Sequence, residues 1–186
     1  MRKYAVLVLL FLLLSGCSGP PDEIETAMEL RSRLLQASGC SFQAEVTADY
    51  GDKLHIFTMN CCADSKGDLT FTVEQPETIS GITGTLSGEG GNLTFADKAL
   101  YFELIADGRL SPVSAPWIVV KTLRSGNILS ACRENGMLRL SIDDSYDDDP
   151  LRLDIWLNSQ NIPEFTDILF DGRRILSVAV RDFEIL

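Results

Sequence analysis

Five cysteines, a single histidine and a short run of aspartates hold most of the reactive chemistry in this 186-residue chain. A zinc site takes four nitrogen, sulfur or oxygen ligands at characteristic spacing. His55 and the scattered cysteines do not supply them. A serine nucleophile needs a strained turn and a nearby base. No serine stands in such a turn, and His55 falls inside an alternating segment that reads as a strand. Cys61 and Cys62 are adjacent and lack the two-residue spacer that lets a helix N-terminus lower a thiol pKa. "DDSYDDDP" (143–150) offers Asp143, Asp144, Asp147, Asp148 and Asp149 as oxygen donors. It lacks the central glycine and terminal glutamate of a calcium loop, and reads as a solvated hairpin loop. "GEGG" (88–91) has no following Lys-Ser/Thr and helix, so it is a turn rather than a phosphate cradle. The sequence assigns no catalytic residue, no metal and no cofactor, and the expectation is a protein that is not an enzyme.

Cys17 is different. It ends "LLLSGC" (12–17), after Arg2, Lys3 and an apolar run of 11 residues from Tyr4 to Leu14. That run is too short for a membrane span, which needs about 20 residues. It has the layout of a secretory signal, with a charged start, an apolar core and small residues before the cut. Leu14-Ser15-Gly16-Cys17 resembles the bacterial lipobox, whose cysteine receives a diacylglyceryl group and becomes the new N-terminus. Two or three acyl chains, at about 0.8 kcal/mol per buried methylene, make such anchoring stable. The expected organisation is a signal over 1–16, a lipidated Cys17 with a tether over 17–22, and one domain over 23–186. The site is the outer face of the cytoplasmic membrane, or the outer membrane if the host is a diderm. Removing the signal leaves 170 residues, a normal single-domain length. The net charge of −11 falls to −13, because Arg2 and Lys3 go with the signal. So acidic a surface repels nucleic acid and anionic head groups.

An exported domain can form disulfides. "SFQAEVTADY" (41–50) and "KLHIFTMNCC" (53–62) alternate around Gly51-Asp52 and read as a hairpin. A four-residue turn sets Cys40 opposite Cys61. A two-residue turn sets Cys40 opposite Ala63, with Cys61 diagonal on the same face. Either register favours a Cys40–Cys61 bridge, with free buried thiols as the alternative. Cys62 points to the other side, and Cys132 has no partner in view.

The elements that must position these groups are mostly strands. Residues 22–38 read as a helix, with Asp22 as N-cap, Gly39 as stop, and Ile24, Ala27, Met28, Leu34 and Leu35 on one face. Strands follow over 68–76, 78–87, 92–97 and 99–106. "LSPVSAPWIVVKTLRSGN" (110–127) reads as a helix capped by Ser114, apolar nearly all round, and so packed on two sides. Strands resume over 128–134, 137–143, 151–158, 163–171 and 174–185, with hairpin turns at Asn135-Gly136 and Asp171-Gly172. No repeat and no linker divides the chain.

This order, a helix, a meander of strands, a helix after "P..SAPW" and more strands, resembles the lipoprotein-carrier superfamily (LolA/LolB-like). "GDLTFTVEQPETISGITGTLSGEGGNLTFADKALYF" looks like its central strands. The chain is also similar to lipoproteins of this fold in clostridia and their relatives, some of which serve sporulation or germination through protein partners. The resemblance implies a mainly β, α+β fold: an antiparallel sheet curled into an unclosed half-barrel, with helices on its concave face. It implies a lipid, acyl-chain or other apolar ligand in that cavity, walled by Phe57, Met59, Phe71, Phe95, Phe102, Trp117, Leu123, Trp156 and Phe170. Partners would then be the membrane, through the N-terminal lipid, and an acyl-chain or lipoprotein ligand. The alternative is a filled core, which makes the domain a tethered module for an envelope protein partner such as a cell-wall or germination enzyme. The family's acceptor type carries an exposed apolar loop. The loop in a comparable late position here, 143–150, is acidic.

Overall fold

The computed structural model describes residues 22–87, 105–106 and 110–186. Its frame is one antiparallel sheet of nine strands: β1 (Gly39–Asp49), β2 (Leu54–Asp64), β3 (Leu69–Gln75), β4 (Thr83–Leu86), β5 (Asn127–Glu134), β6 (Met137–Asp143), β7 (Arg152–Leu157), β8 (Pro163–Phe170) and β9 (Arg173–Ile185). The spatial order is β4-β3-β2-β1-β9-β8-β7-β6-β5. Two hairpin meanders are joined where β1 meets β9, so the middle of the sheet is built from the two ends of the domain. The sheet does not close, and this is the mainly β, unclosed half-barrel that the order of elements implied.

Period-two alternation sets the concave face. Phe42, Ala44, Val46 and Ala48 of β1 point inward beside Phe57, Met59, Cys61 and Ala63 of β2. Leu176, Val178 and Val180 of β9, Ile168 of β8, Leu153, Ile155 and Leu157 of β7, and Leu138, Leu140 and Ile142 of β6 continue the layer. Each fully buried side chain of this size contributes about 1.5–3 kcal/mol.

Among the described residues, two helices and a short 3₁₀ turn, Pro112–Ser114, accompany the sheet. Helix α1 (Glu23–Gln36) starts at Asp22, whose carboxylate accepts from the Ile24 amide, and carries Glu23 and Glu25 in its first turn. Acids there complement the helix dipole. Its buried stripe is Thr26, Ala27, Leu30 and Leu34. Of the five residues expected in the stripe, two, Ala27 and Leu34, are inside, whereas three, Ile24, Met28 and Leu35, are exposed. Helix α2 (Ala115–Ser125) follows the 3₁₀ turn, with Pro116 in its first turn and Gly126 after its end. It buries Ala115, Pro116, Ile118, Val119, Val120, Thr122 and Leu123, the two-sided packing its composition demands.

The expected strand over 78–87 shortens to Thr83–Leu86. Residues from Pro76 to Gly81 form a turn, which closes with the Gly81 amide on the Val73 carbonyl at 2.8 Å. The expected strands over 92–97 and 99–106 lie outside the described residues, apart from Ile105, which bridges Leu110, and Ala106. The lipobox, Cys17 and the tether as far as Pro21 lie outside them too.

Candidate binding site

The site is the concave face and the lid over it. Helix α2 crosses the opening between two rims. On one rim, the Trp117 indole donates to the Gly67 carbonyl at 3.1 Å, and the Arg124 guanidinium to that of Ser65, both in the β2–β3 turn. On the other, Lys121 pairs with Asp144 of the β6–β7 loop at 3.4 Å. The two helices also cap each other. Arg31 of α1 donates to the carbonyls of Leu123 at 2.8 Å and Gly126 at 2.7 Å, at the C-terminal end of α2. Arg124 of α2 donates to the Leu34 carbonyl near the end of α1 at 3.0 Å. Last-turn carbonyls have no intrahelical partners and carry the negative pole of the dipole, so a guanidinium there satisfies both demands. Burial lowers the Arg31 pKa, against an upward pull from Tyr146.

Beneath this lid the expected wall residues divide. Phe57, Met59, Phe71 and Leu123 are buried at 3% exposure or less and belong to one continuous core. Trp117 and Phe170 are half-buried against it. They meet at a cleft of about 290 Å³, with Leu110, Ile118 and Leu151 as its apolar lining and Lys121, Asp144, Asp147 and Asp149 at its rim. Phe95 and Phe102 lie outside the described residues.

Trp156 is corrected. It stands on the convex face, because Leu153, Ile155 and Leu157 take the inward positions of β7. There its ring packs on Phe165 at 5.5 Å, tilted by 50°, and lies under the Arg139 guanidinium at 5.4 Å. Arg139 in turn holds Asp154 at 2.6 Å, which also accepts from Ser141 at 2.7 Å. The bond to Asp154 raises the Arg139 pKa. Beside this group Asp167 accepts from Ser177 at 2.6 Å and pairs with Arg174. The sequence reading missed this outer-face network. Its signal was the shared parity of Arg152, Asp154 and Trp156.

The Cys40–Cys61 bridge is not formed in the structure; both are free, buried thiols. The hairpin takes the two-residue turn, with Cys40 opposite Ala63 and Cys61 opposite Phe42, so the two thiols are diagonal rather than facing. Burial pushes the Cys40 thiol up to about 11, against a downward pull from Arg124, and pushes Cys61 up further. Such thiols are poor nucleophiles. Cys62 and Cys132 are exposed and free.

The acidic loop is structural at its base. Asp143 pairs with Arg152 at 2.7 Å, and Asp144 accepts from the Leu151 amide at 2.8 Å. Among the described residues no three His, Cys, Asp or Glu side chains come together as metal ligands. His55 sits at the open end of β2, edge-on to Tyr50 at 5.4 Å. No helix among the described residues is long and apolar enough to cross a membrane.

No protein-family model matches the chain, and no curated protein matches it. Among solved structures it is similar to a LolA superfamily protein from Nitrosomonas europaea, at TM-score 0.47 and 8% identity, over 86% of this chain and 93% of that one. An outer membrane lipoprotein-sorting protein domain from Vibrio parahaemolyticus is similar at TM-score 0.40 and 11% identity, over 88% and 92% of the two chains. The Pseudomonas aeruginosa MucA/MucB complex is similar at TM-score 0.37 and 12% identity, over 85% of this chain and 56% of that one. The likeness is one of fold alone.

Proposed function

We propose that this chain is an exported lipoprotein, anchored through Cys17, whose domain works by binding rather than by catalysis, as a membrane-tethered interaction module. One observation carries this reading over that of an acyl-chain carrier: among the described residues the concave face is filled. Phe57, Met59, Phe71 and Leu123 touch one another's neighbours in a closed core, and α2 lies over them with its apolar sides buried. A carrier needs that volume empty. What the filled half-barrel offers a protein partner is its outer surface, including the Trp156–Arg139–Phe165 group on the convex face and the edge strand β5, where Leu129 is exposed. An unpaired strand edge is a ready template for an added strand.

The cleft beside Trp117 favours a second reading, in which an apolar moiety is held at the rim. Native mass spectrometry of the protein released gently from membranes separates the two. The interaction module gives the mass of the lipidated polypeptide alone, and further mass that leaves as phospholipid or acylated peptide on denaturation refutes it in favour of the carrier.

A further inference from the structure

Helix α1 shows an apolar stripe that the core does not use. Ile24, Met28 and Leu35 are 39%, 49% and 53% exposed. Their spacing of four and seven residues sets them on one side of the helix. That side borders α2, because Arg31, in the same stripe, reaches across to the α2 carbonyls. The solvent side of α2 is Trp117, Lys121, Arg124 and Ser125. Where the end of α1 meets α2 and the β2–β3 turn lies a groove of about 340 Å³, walled by Leu35, Trp117, Lys66, Lys121 and Arg124. Lys121 stands over the Trp117 ring at 5.6 Å. The face is therefore apolar and aromatic, with Lys66, Lys121 and Arg124 beside it, on a chain of net charge −11; Lys121 is paired with Asp144, and Asp147 and Asp149 stand at the neighbouring cleft that Trp117 also lines. Lys66 has no carboxylate partner among the described residues. Glu25 and Glu29 lie on the flank of α1 turned away from the groove.

We propose that this two-helix face is the one the domain lays on the bilayer, with Ile24, Met28, Leu35 and Trp117 at head-group depth and Lys66 against anionic lipid. The inference rests on the anchoring at Cys17. Four residues separate Cys17 from Asp22, five Cα-to-Cα steps, so α1 starts within about 17 Å of the lipid even when that stretch is fully extended. A helix held so close must turn some side to the membrane. The Thr26–Leu34 side is buried in the core, and the Glu25–Glu29 side is repelled by anionic head groups. The remaining side has the composition of an interfacial helix face, with aliphatic and Trp contacts beside Lys. The chain as a whole repels an anionic surface, and the Leu35–Lys66–Arg124 end of this face is where the repulsion is locally relieved. Resting on it would leave the convex face and Trp156 turned away from the lipid.

The two tryptophans make the test. Full-length protein, processed and extracted from membranes of the expressing bacterium, is reconstituted in phosphatidylethanolamine–phosphatidylglycerol vesicles. A fraction of the lipid carries bromine near the head of its acyl chains. In Trp156→Phe the remaining Trp117 should lose several times more emission than Trp156 loses in Trp117→Phe. The pair Met28→Glu and Leu35→Glu, both at exposed sites, should cut the Trp117 quenching severalfold while the protein still floats with the vesicles. In the unaltered protein, acylation of Lys66 by a water-borne reagent should slow severalfold on moving from detergent to vesicles. Flotation with equal quenching of the two tryptophans, or with unchanged Lys66 reactivity, overturns the proposed face and leaves the anchor standing. Failure to float removes the anchor, and the face with it.

Discussion

Cys40 and Cys61 stand two residues of register from facing each other, and that offset decides their chemistry. As buried thiols they should resist alkylation in the native protein at pH 8, while Cys62 and Cys132 react. Unfolding without reductant should then expose all four. Mass spectrometry after iodoacetamide reads this directly, and two modified cysteines in the unfolded, unreduced domain would mean a bridge instead. The raised thiol pKa also has a sign in stability. A thiol ordinarily near 9.0 that is held at about 11 in the fold favours folding equally at all pH below 9.0. Between the two values the unfolded chain ionises first, and stability falls. Urea midpoints should therefore drop from pH 9 to pH 11, and Cys40→Ala should flatten that slope. The hairpin spacing was legible down to two registers, but the turn length that chooses between them was not. Trp156 faces outward for a different reason: its aromatic character suits a cavity wall, but it shares parity with Arg152 and Asp154, and in a strand parity decides the face.

The helices are fixed by contacts that no local pattern encodes. Period and caps in the sequence located α1 and α2 to within a few residues. They could not say which side of α1 would be buried, because Ile24, Met28 and Leu35 are as apolar as Leu30 and Leu34. Arg31 settles it by docking on the end of α2. Arg31→Ala leaves the Leu123 and Gly126 carbonyls without that donor, and Arg124→Ala does the same at Leu34. Each should cost about 1–3 kcal/mol in urea unfolding. The double variant should cost less than the sum, since either loss already loosens the same helix pair. Strand β4 is held to its neighbour by a missing side chain. A Cβ at Gly84 would lie 2.6 Å from the Phe71 ring, inside the packed layer. Gly84→Ala should destabilise by about 1–3 kcal/mol through overpacking. A loss under 0.3 kcal/mol would mean that the Phe71 ring has room to move.

The union of β1 with β9 governs the whole molecule, and alternation alone could not reveal it. Every other strand pairs with its sequence neighbour, so each of those contacts follows from turn residues and period. Pairing Val46 with Val178 and Ala44 with Val180 instead joins the two ends of the domain. Entropy opposes such long loop closures, so this pairing should make folding slow for the chain's size. It also makes the last residues part of the core's frame rather than a tail. Phe183 stacks on Phe42 at 5.5 Å, Ile185 pairs with Cys40, and the Leu186 amide and carbonyl bond to Gly39 and Ser38 at 2.9 and 3.0 Å. Truncation after Asp182 removes one ring contact, two apolar side chains and these bonds. It should lower stability by on the order of 3–5 kcal/mol, more than a core Ile→Val change, which costs about 1 kcal/mol. If equilibrium unfolding of the truncated chain matched that of the intact one, the sheet would not depend on its own ends, and α1 with β1 would need some other hold on the second meander. That hold would lie in the rest of the β1–β9 ladder, from Gln43–Arg181 to Ala48–Leu176, with the Glu23–Arg133 ion pair and the Arg31 and Arg124 caps beside it, and adding Arg31→Ala to the truncation would expose any dependence on the caps.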